Sequence, residues 1–308
     1  MHFGRTEDPV QMSLQNLTLP ALDSAEEKVQ LDRLAKAAVR STVPSRIHVG
    51  VPIWNHAPWV GNFYPEGVTS GDLLREYAKQ LNTVEVNSTF YAVPGEELFK
   101  KWKDSVPADF RFCPKFPKSV SHSLDGKHPD LKLFAERVLS LEGNLGACFL
   151  QLPQYFSMQD KDRLNSLLSQ LPRELKTTIE LRNAEYFTGQ RLNPEVVDVF
   201  ARSFVGAVSS DTPEERAVAH VSLTSTRSMI RFLGANLHES DLIRLQQWAE
   251  RVAVWFKSGL KEMYFMVHQP DNTLSPQTCD AFIKMLNLEL EKQALEFRVS
   301  PIHWNHLL

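Results

Sequence analysis

Two short β-rich runs of this 308-residue chain place complementary polar side chains on one face. In the run VEVN, Glu85 and Asn87 share a face, because successive side chains of a strand point to opposite sides. In the run IELR, Glu180 and Arg182 share a face, which allows an ion pair that lowers the carboxyl pKa or orients the guanidinium towards an anion. Two carboxylates suit acid–base chemistry, so we predict Glu85 and Glu180 as catalytic groups. A hydrogen-bonded network that only holds the strand ends together is the alternative interpretation.

A basic segment, residues 111–128, is the next candidate in a chain whose formal net charge is −3. It contains Lys115 and His122, and a basic loop beside a pocket attracts phosphate, carboxylate or another anionic group. We predict Lys115 as a catalytic residue that stabilises an anion or a transition state, and His122 as a ligand-binding residue. For Lys118 and Lys127 we prefer the interpretation of a solvated loop surface.

More polar and aromatic residues follow other β-rich runs, at positions where burial is costly without a purpose. The full predicted ligand-binding set is Trp54, Trp59, Asn87, Tyr91, His122, Gln151, Arg182, Asp211, Arg231 and His268. Its aromatic rings can stack on a sugar or a base, although loop packing explains such aromatics equally well. Its arginines are expected to stabilise an anion alongside Lys115.

Sequence motifs name neither a mechanism nor a cofactor. The chain lacks the HExxH, GxSxG and Walker patterns, and it has no GxGxxG after a β-rich run. Glu85, Glu180, Asp211 and His268 are of types that bind a divalent metal, but their spacing does not show that they meet. The cofactor is therefore left unknown, with a divalent metal as a less favoured hypothesis.

The elements that must position these residues alternate between β-rich runs and helical patterns. The β-rich runs are 47–51, 83–87, 110–113, 147–152, 177–181, 205–209, 229–233 and 263–268. The helical patterns between or after them are 70–81, 95–104, 130–141, 159–170, 194–203, 239–258 and 276–295, and segment 212–227 has at most a short helix. Alternation of this kind predicts parallel strands, and eight units favour a single-domain (β/α)8 TIM barrel. In that fold reactive side chains lie at the carboxyl ends of the strands, where the candidates fall.

The N-terminal region precedes the first β-rich run. A helical pattern begins at Ser24 and ends near Arg40, after an irregular arm. We therefore predict an extra N-terminal helix, and we divide the chain into an arm and helix over 1–46 and a barrel domain over 47–308.

Composition excludes several broad classes. The 34 basic and 37 acidic residues give no basic excess of the kind that nucleic-acid binders use. Apolar stretches are too short to cross a bilayer, so we expect no membrane association. The three cysteines, Cys113, Cys148 and Cys279, lie in apolar segments far apart, which predicts reduced thiols in a core and a cytoplasmic protein.

Four segments together resemble the YecE-like family, also called domain of unknown function 72. They are WVGNFYP from Trp59, VEVNSTFY from Val84, FLQLP from Phe149 and IELR from Ile179. The resemblance runs from about Ile47 to His268, implies a TIM barrel, and brings no agreed activity, substrate or cofactor. It marks Trp59, Glu85, Asn87, Tyr91, Lys115, His122, Gln151, Glu180, Arg182, Asp211 and Arg231. The chain departs from the family pattern at Gly50–Trp54, at Leu233 and at His268, all around the expected barrel mouth.

Three functions remain open on this basis. The favoured hypothesis is an enzyme, of the hydrolase, lyase or isomerase type, that acts on a small polar or anionic metabolite resembling a sugar or a phosphate. The alternatives are a nucleic-acid-processing barrel, in which Trp54, Trp59 and Tyr91 contact bases, and a non-catalytic ligand sensor or interaction protein. The oligomeric state is left open.

Overall fold

A computed structural model describes residues 17–22, 24–39 and 41–305. The strands are β1 (Arg46–Val51), β2 (Thr83–Val86), β3 (Arg111–Pro114), β4 (Phe149–Gln151), β5 (Thr178–Glu180), β6 (Phe187–Thr188), β7 (Arg191–Leu192), β8 (Gly206–Asp211), β9 (Arg227–Leu233) and β10 (Glu262–His268). Eight of them pair in parallel in the order β3-β2-β1-β10-β9-β8-β5-β4, while β6 and β7 form a small antiparallel hairpin. Single bridges from Phe112 to Leu145 and from Lys115 to Phe149 join β3 to the β4 side. The sheet is thus a nearly closed barrel.

Helices surround this barrel. They are α1 (Ala25–Ala38), α2 (Leu73–Gln80), α3 (Ser88–Tyr91), α4 (Glu96–Asp104), α5 (Lys118–Ser121), α6 (Pro129–Leu139), α7 (Lys161–Gln170), α8 (Pro194–Arg202), α9 (Glu239–Lys257) and α10 (Ser275–Lys292). Local sequence sets their starts: in α8 the Asn193 side chain accepts from the Glu195 amide, and Pro194 occupies the first turn. Among the described residues, the helices lack the combination of length and apolar character needed to cross a membrane.

Alternation along the strands divides the apolar residues into two layers. One layer lies between strands and helices, where Phe265 of β10 stacks on Phe282 of α10 with ring centroids 3.6 Å apart. The other fills the barrel interior and consists of Cys113, Ala147, Phe149, Val208, Met229, Tyr264 and Met266. Polar side chains on the inward faces are therefore confined to the two ends of the barrel.

Helix α1 packs against the barrel through a buried carboxylate. Ser24 caps the helix by accepting from the Glu27 amide, and Glu27 is buried. The Glu27 carboxylate meets Arg191 at 3.3 Å, Arg251 at 2.9 Å and the indole nitrogen of Trp255 at 3.1 Å. The extension is thereby fixed to elements that belong to the barrel, while a domain boundary at residue 46 stays a prediction.

The predicted TIM barrel is confirmed, and each β-rich run overlaps one barrel strand. The buried, unpaired state predicted for the three cysteines is also confirmed. Segment 212–227 has only a single short 3-10 turn, Arg216–Val218, as expected. Three elements were not predicted: the β6–β7 hairpin and the four-residue helices α3 and α5. Because β2 ends at Val86, Thr89 lies in the short helix α3.

Candidate functional site

Polar side chains from six barrel strands, or from residues just after them, meet at the carboxyl end of the barrel. We call this set the mouth network: Glu85, Asn87, Lys115, Gln151, Glu180, Arg182, Arg231 and His268. The carboxyl ends of parallel strands lie at one end of a barrel, so residues far apart in sequence converge there.

Arg231 of β9 is the centre of the network. Its Nε and Nη2 donate to the two carboxylate oxygens of Glu85 at 3.0 and 3.1 Å, and its Nη1 donates to Glu180 Oε2 at 2.7 Å. The Nε2 atom of His268 lies 3.1 Å from Glu85 Oε2 and 3.3 Å from Arg231 Nη2. One buried guanidinium thus bridges two buried carboxylates.

Each carboxylate also accepts a hydrogen bond from a residue two positions later in the chain, which lies on its solvent side. Asn87 Nδ2 donates to Glu85 Oε1 at 2.9 Å, and Arg182 Nε donates to Glu180 Oε1 at 2.7 Å. The ion pair expected between Glu180 and Arg182 is therefore present. Asn87 and Arg182 are half-buried, so they connect the buried carboxylates to the open mouth.

Gln151 links Glu180 to Lys115. Its amide nitrogen donates to Glu180 Oε2 at 2.8 Å, and its amide oxygen accepts from Lys115 Nζ at 2.8 Å. Only this orientation of the amide satisfies both a carboxylate and an ammonium, so the position of Lys115 is set through Gln151. The ammonium also lies 4.2 Å from the ring centroid of Phe90.

Phe149 forms the apolar floor of the mouth. The ring centroid of this interior residue lies 5.5 Å from Lys115 Nζ and 5.2 Å from Arg231 Cζ. The ring keeps water away from the interior side of the mouth network, which strengthens the electrostatic interactions of Lys115 and Arg231.

Both carboxyl groups of the network are held in the ionised form. Burial alone would raise the pKa of Glu85, but the charges of Arg231 and His268 outweigh it and hold that pKa well below its usual value. Burial likewise opposes ionisation of Glu180, and Arg182 and Arg231 together lower its pKa in spite of it. A carboxylate with a strongly lowered pKa is a poor proton donor or acceptor near neutral pH.

Lys115 differs from both glutamates. Burial, followed by the charge of Arg231, lowers the pKa of its ammonium from 10.5 to about 8, although Glu85 and Glu180 oppose the shift. The residue is only 9% exposed, and within the described part of the chain its ammonium forms no ion pair with a carboxylate. Its pKa lies near the range in which proton transfer at neutral pH is efficient.

Aromatic rings form one side of the mouth. Phe90, which contacts Lys115, lies 5.2 Å from the ring of Tyr91 and 5.8 Å from that of His122. His122 in turn lies 6.4 Å from Tyr155. Tyr91 is 84% and Tyr155 66% exposed. Burial, followed by the charges of Lys118 and Lys115, lowers the pKa of His122 and favours its neutral form.

Comparison with known proteins agrees with this architecture. A sequence model of the family described as "Protein of unknown function DUF72" matches residues 48–301. The chain belongs to the DUF72 family.

Curated relatives match this chain in sequence, and solved DUF72 structures share its fold. The UPF0759 protein YecE of Escherichia coli K12, and that of the O157:H7 strain, are each 31% identical over 251 residues, covering 75% of this chain and 89% of theirs. A crystal structure of a DUF72 protein from Enterococcus faecalis V583 aligns with a TM-score of 0.66 at 18% identity, over 79% of this chain and 96% of that one. A Thermotoga maritima MSB8 DUF72 structure aligns with a TM-score of 0.59 at 23% identity, over 80% and 98%. These two structures support the fold alone.

Five predicted residues of this DUF72 barrel lie outside the mouth network. Tyr91 and His122 belong to the aromatic side of the mouth, and the other three lie elsewhere. Trp59 is 2% exposed, packs on Phe63 and Tyr64, and donates its indole N–H to the Asn272 carbonyl at 3.0 Å. Trp54 packs edge-on against Trp102 at 5.5 Å. The third is Asp211.

Asp211 faces the helices instead of the barrel interior. Its carboxylate meets Arg244 at 2.8 Å and also contacts Arg216 and Trp248. The hypothetical metal set that included Asp211 is therefore not brought together, and the described residues contain no group of three or more His, Cys, Asp or Glu side chains able to hold a metal. Alternation along β8 explains this orientation. Val208 points into the barrel, so Asp211, an odd number of residues away, points outward.

Two contributors to the mouth were missed from the sequence. Phe149 was assigned to a β-rich run without a role, and its inward position follows from sharing a face with Gln151. Tyr155 lies in the turn after β4, and no sequence pattern there predicts that its side chain is exposed.

Proposed function

We propose that this DUF72 protein is an enzyme that acts on a small anionic metabolite at the barrel mouth, with the ammonium of Lys115 as a general acid. One observation carries the proposal. Lys115 is a buried cation with a pKa near 8 and no carboxylate partner among the described residues. Perturbed groups of this kind in a cleft are concentrated at functional sites.

Charge balance indicates the substrate class. The carboxylates of Glu85 and Glu180 are offset by the guanidiniums of Arg231 and Arg182, so the charge of Lys115 is left uncompensated. A phosphate or carboxylate group of the substrate would offset it. Arg182 and His268, both half-buried, offer further donors from the solvent side.

The pKa of Lys115 decides its role. At neutral pH the group is mostly protonated, yet it is a stronger acid than a lysine with the ordinary pKa of 10.5. It can therefore give a proton to a substrate oxygen on which negative charge develops, such as a carbonyl or leaving-group oxygen. General acid catalysis contributes about 10²- to 10⁴-fold in rate.

Glu85 and Glu180 have a different role in this proposal from the acid–base role predicted from sequence. Both are fully buried and bridged by Arg231, so they orient Arg231, Asn87 and Gln151 and do not meet the substrate. They are positioning residues.

A turnover screen tests the proposal. Sugar phosphates, hydroxy acids and 2-oxo acids are incubated with the wild type, with Lys115→Met and with the control Lys132→Met, whose side chain is 85% exposed on α6. We expect turnover of at least one compound, reduced about 10²- to 10⁴-fold in Lys115→Met and unchanged in Lys132→Met. Equal rates in all three proteins would contradict the role of Lys115. Saturable binding of a compound without turnover would favour the ligand-sensor hypothesis instead.

A further inference from the structure

The amino end of the barrel contains a second polar group, which we call the basal cluster. Its members are Arg46, His48, Arg111, Lys176, Arg227 and Glu262. All of them lie in the first half of barrel strands or just before one, at the opposite end from the mouth network. The interior apolar residues, including Phe149, Met229 and Met266, separate the two ends.

Within the basal cluster the single carboxylate is fully engaged. Glu262 accepts from Arg227 Nε at 2.6 Å and from the Tyr264 hydroxyl at 2.7 Å. Arg227 offsets its charge. In the described part of the chain, Arg46, Arg111 and Lys176 have no carboxylate partner, which leaves an excess of positive charge at this end.

His48 is buried without a hydrogen bond. It is 2% exposed and stacks on Tyr264 with ring centroids 4.8 Å apart, and neither ring nitrogen has a hydrogen-bond partner among the described residues. Its Nε2 lies 3.9 Å from Glu262 Oε1, beyond a hydrogen bond. Buried polar groups in proteins are rarely left unpaired, so the ring offers a donor and an acceptor that no described residue uses.

The uncompensated cations act on the same ring through their charges. Burial first, and then the charges of Arg111, Arg46 and Lys176, lower the pKa of His48 to about 4 against the opposing charge of Glu262. His48 is therefore a neutral donor next to three cations. Arg111 and Lys176 are half-buried and Arg46 is exposed, so solvent contacts these three cations, whereas the His48 ring is 2% exposed.

We propose that the basal cluster binds a phosphate group, either free phosphate or the end of a small ester, between Arg46, Arg111 and Lys176 with the ring N–H of His48 as an additional donor. Guanidinium and ammonium groups are the side chains that proteins use for this purpose. The site does not depend on the proposed mouth chemistry, because it shares no residue with the mouth network.

Histidine NMR of the full chain tests this site directly. Long-range 1H–15N spectra are recorded at pH 7 while inorganic phosphate, or in a second series glycerol phosphate, is added. The His48 signals are identified by their absence in His48→Gln. We expect a saturable shift of the His48 ring signals with phosphate and a rise of the His48 pKa when phosphate is bound. A response to glycerol phosphate as well would show that the site accepts esters, and a response to phosphate alone would show that it takes the free ion.

Matched variants distinguish phosphate binding at the basal cluster from a non-specific effect of added salt on the protein's charges. Lys176→Gln and Arg111→Gln should each weaken phosphate binding about tenfold or more, because each loses a charge-assisted contact. Lys132→Gln, on the exposed face of α6, should leave the affinity unchanged. His48 signals that do not move with phosphate in the wild type would overturn the proposal, and so would equal weakening in Lys176→Gln and Lys132→Gln.

Discussion

The guanidinium of Arg231 neutralises two carboxylates that have lost contact with water. Glu85 and Glu180 are fully buried, and each accepts from Arg231. Removing the cation leaves Glu85 without a guanidinium partner and Glu180 with Arg182 alone, in a site of low dielectric constant, which costs far more than the loss of a surface pair.

Arg231→Met should therefore lower the free energy of unfolding by about 3–5 kcal/mol. The matched control is Arg33→Met, which breaks an ion pair with Asp198 whose partners are about half exposed and should cost under about 1 kcal/mol. Chemical denaturation of both variants measures the difference. Equal losses would show that the bridge by Arg231 contributes no more than a surface ion pair.

Residue pairs close in sequence could be predicted, and residues joined across the barrel could not. Strand alternation placed Asn87 beside Glu85 and Arg182 beside Glu180, and both contacts are present. The bridge from Arg231 to Glu85 spans 146 residues, and no local pattern encodes it. The mistaken grouping of Asp211 with the mouth came from its place at a strand end, since end position does not say which face a side chain takes.

At the scale of elements, periodicity identified the barrel strands and the long helices because each contains enough residues to show its period. The four-residue helices α3 and α5 are too short for any period, and both lie in the loops that carry Tyr91 and His122. The shape of the mouth was therefore less predictable than the barrel that supports it.

Helix α1 offers a prediction of its own. Glu27→Gln removes the charge that Arg251 and Arg191 contact, and Arg251 is buried. We expect a loss of about 3–5 kcal/mol in the stability of the docked helix, seen as faster amide hydrogen exchange over 25–38. The control Glu26→Gln changes an exposed neighbour of equal charge. Similar exchange in the two variants would mean that apolar packing, not Glu27, holds α1 in place.

At the scale of the whole molecule, the barrel interior is polar at both ends and apolar between them. The buried carboxylates at these ends connect global stability to pH. Burial opposes ionisation of Glu262, but Arg227 outweighs it and lowers the carboxyl pKa from 4.5 to about 2. A group whose pKa is lowered on folding contributes stability that is present above its unfolded pKa and is lost as the pH falls towards the folded value.

Between pH 5 and pH 3, Glu262 should account for about 2 kcal/mol of the loss in unfolding free energy. Denaturation curves at both pH values should show a fall that is smaller by about that amount in Glu262→Gln than in the wild type. The exposed control Glu136→Gln should keep the full fall. A fall of the same size in Glu262→Gln would contradict the lowered pKa.

The proposed function depends most directly on the proton affinity of Lys115. Competitive labelling of lysine amines across pH, read by mass spectrometry at the peptide that contains Lys115, measures this value in the intact protein without a known substrate. A midpoint near pH 8, absent in Lys115→Met, is the result we expect. A midpoint near 10.5, the ordinary value for lysine, would contradict the assignment of Lys115 as the general acid of the mouth.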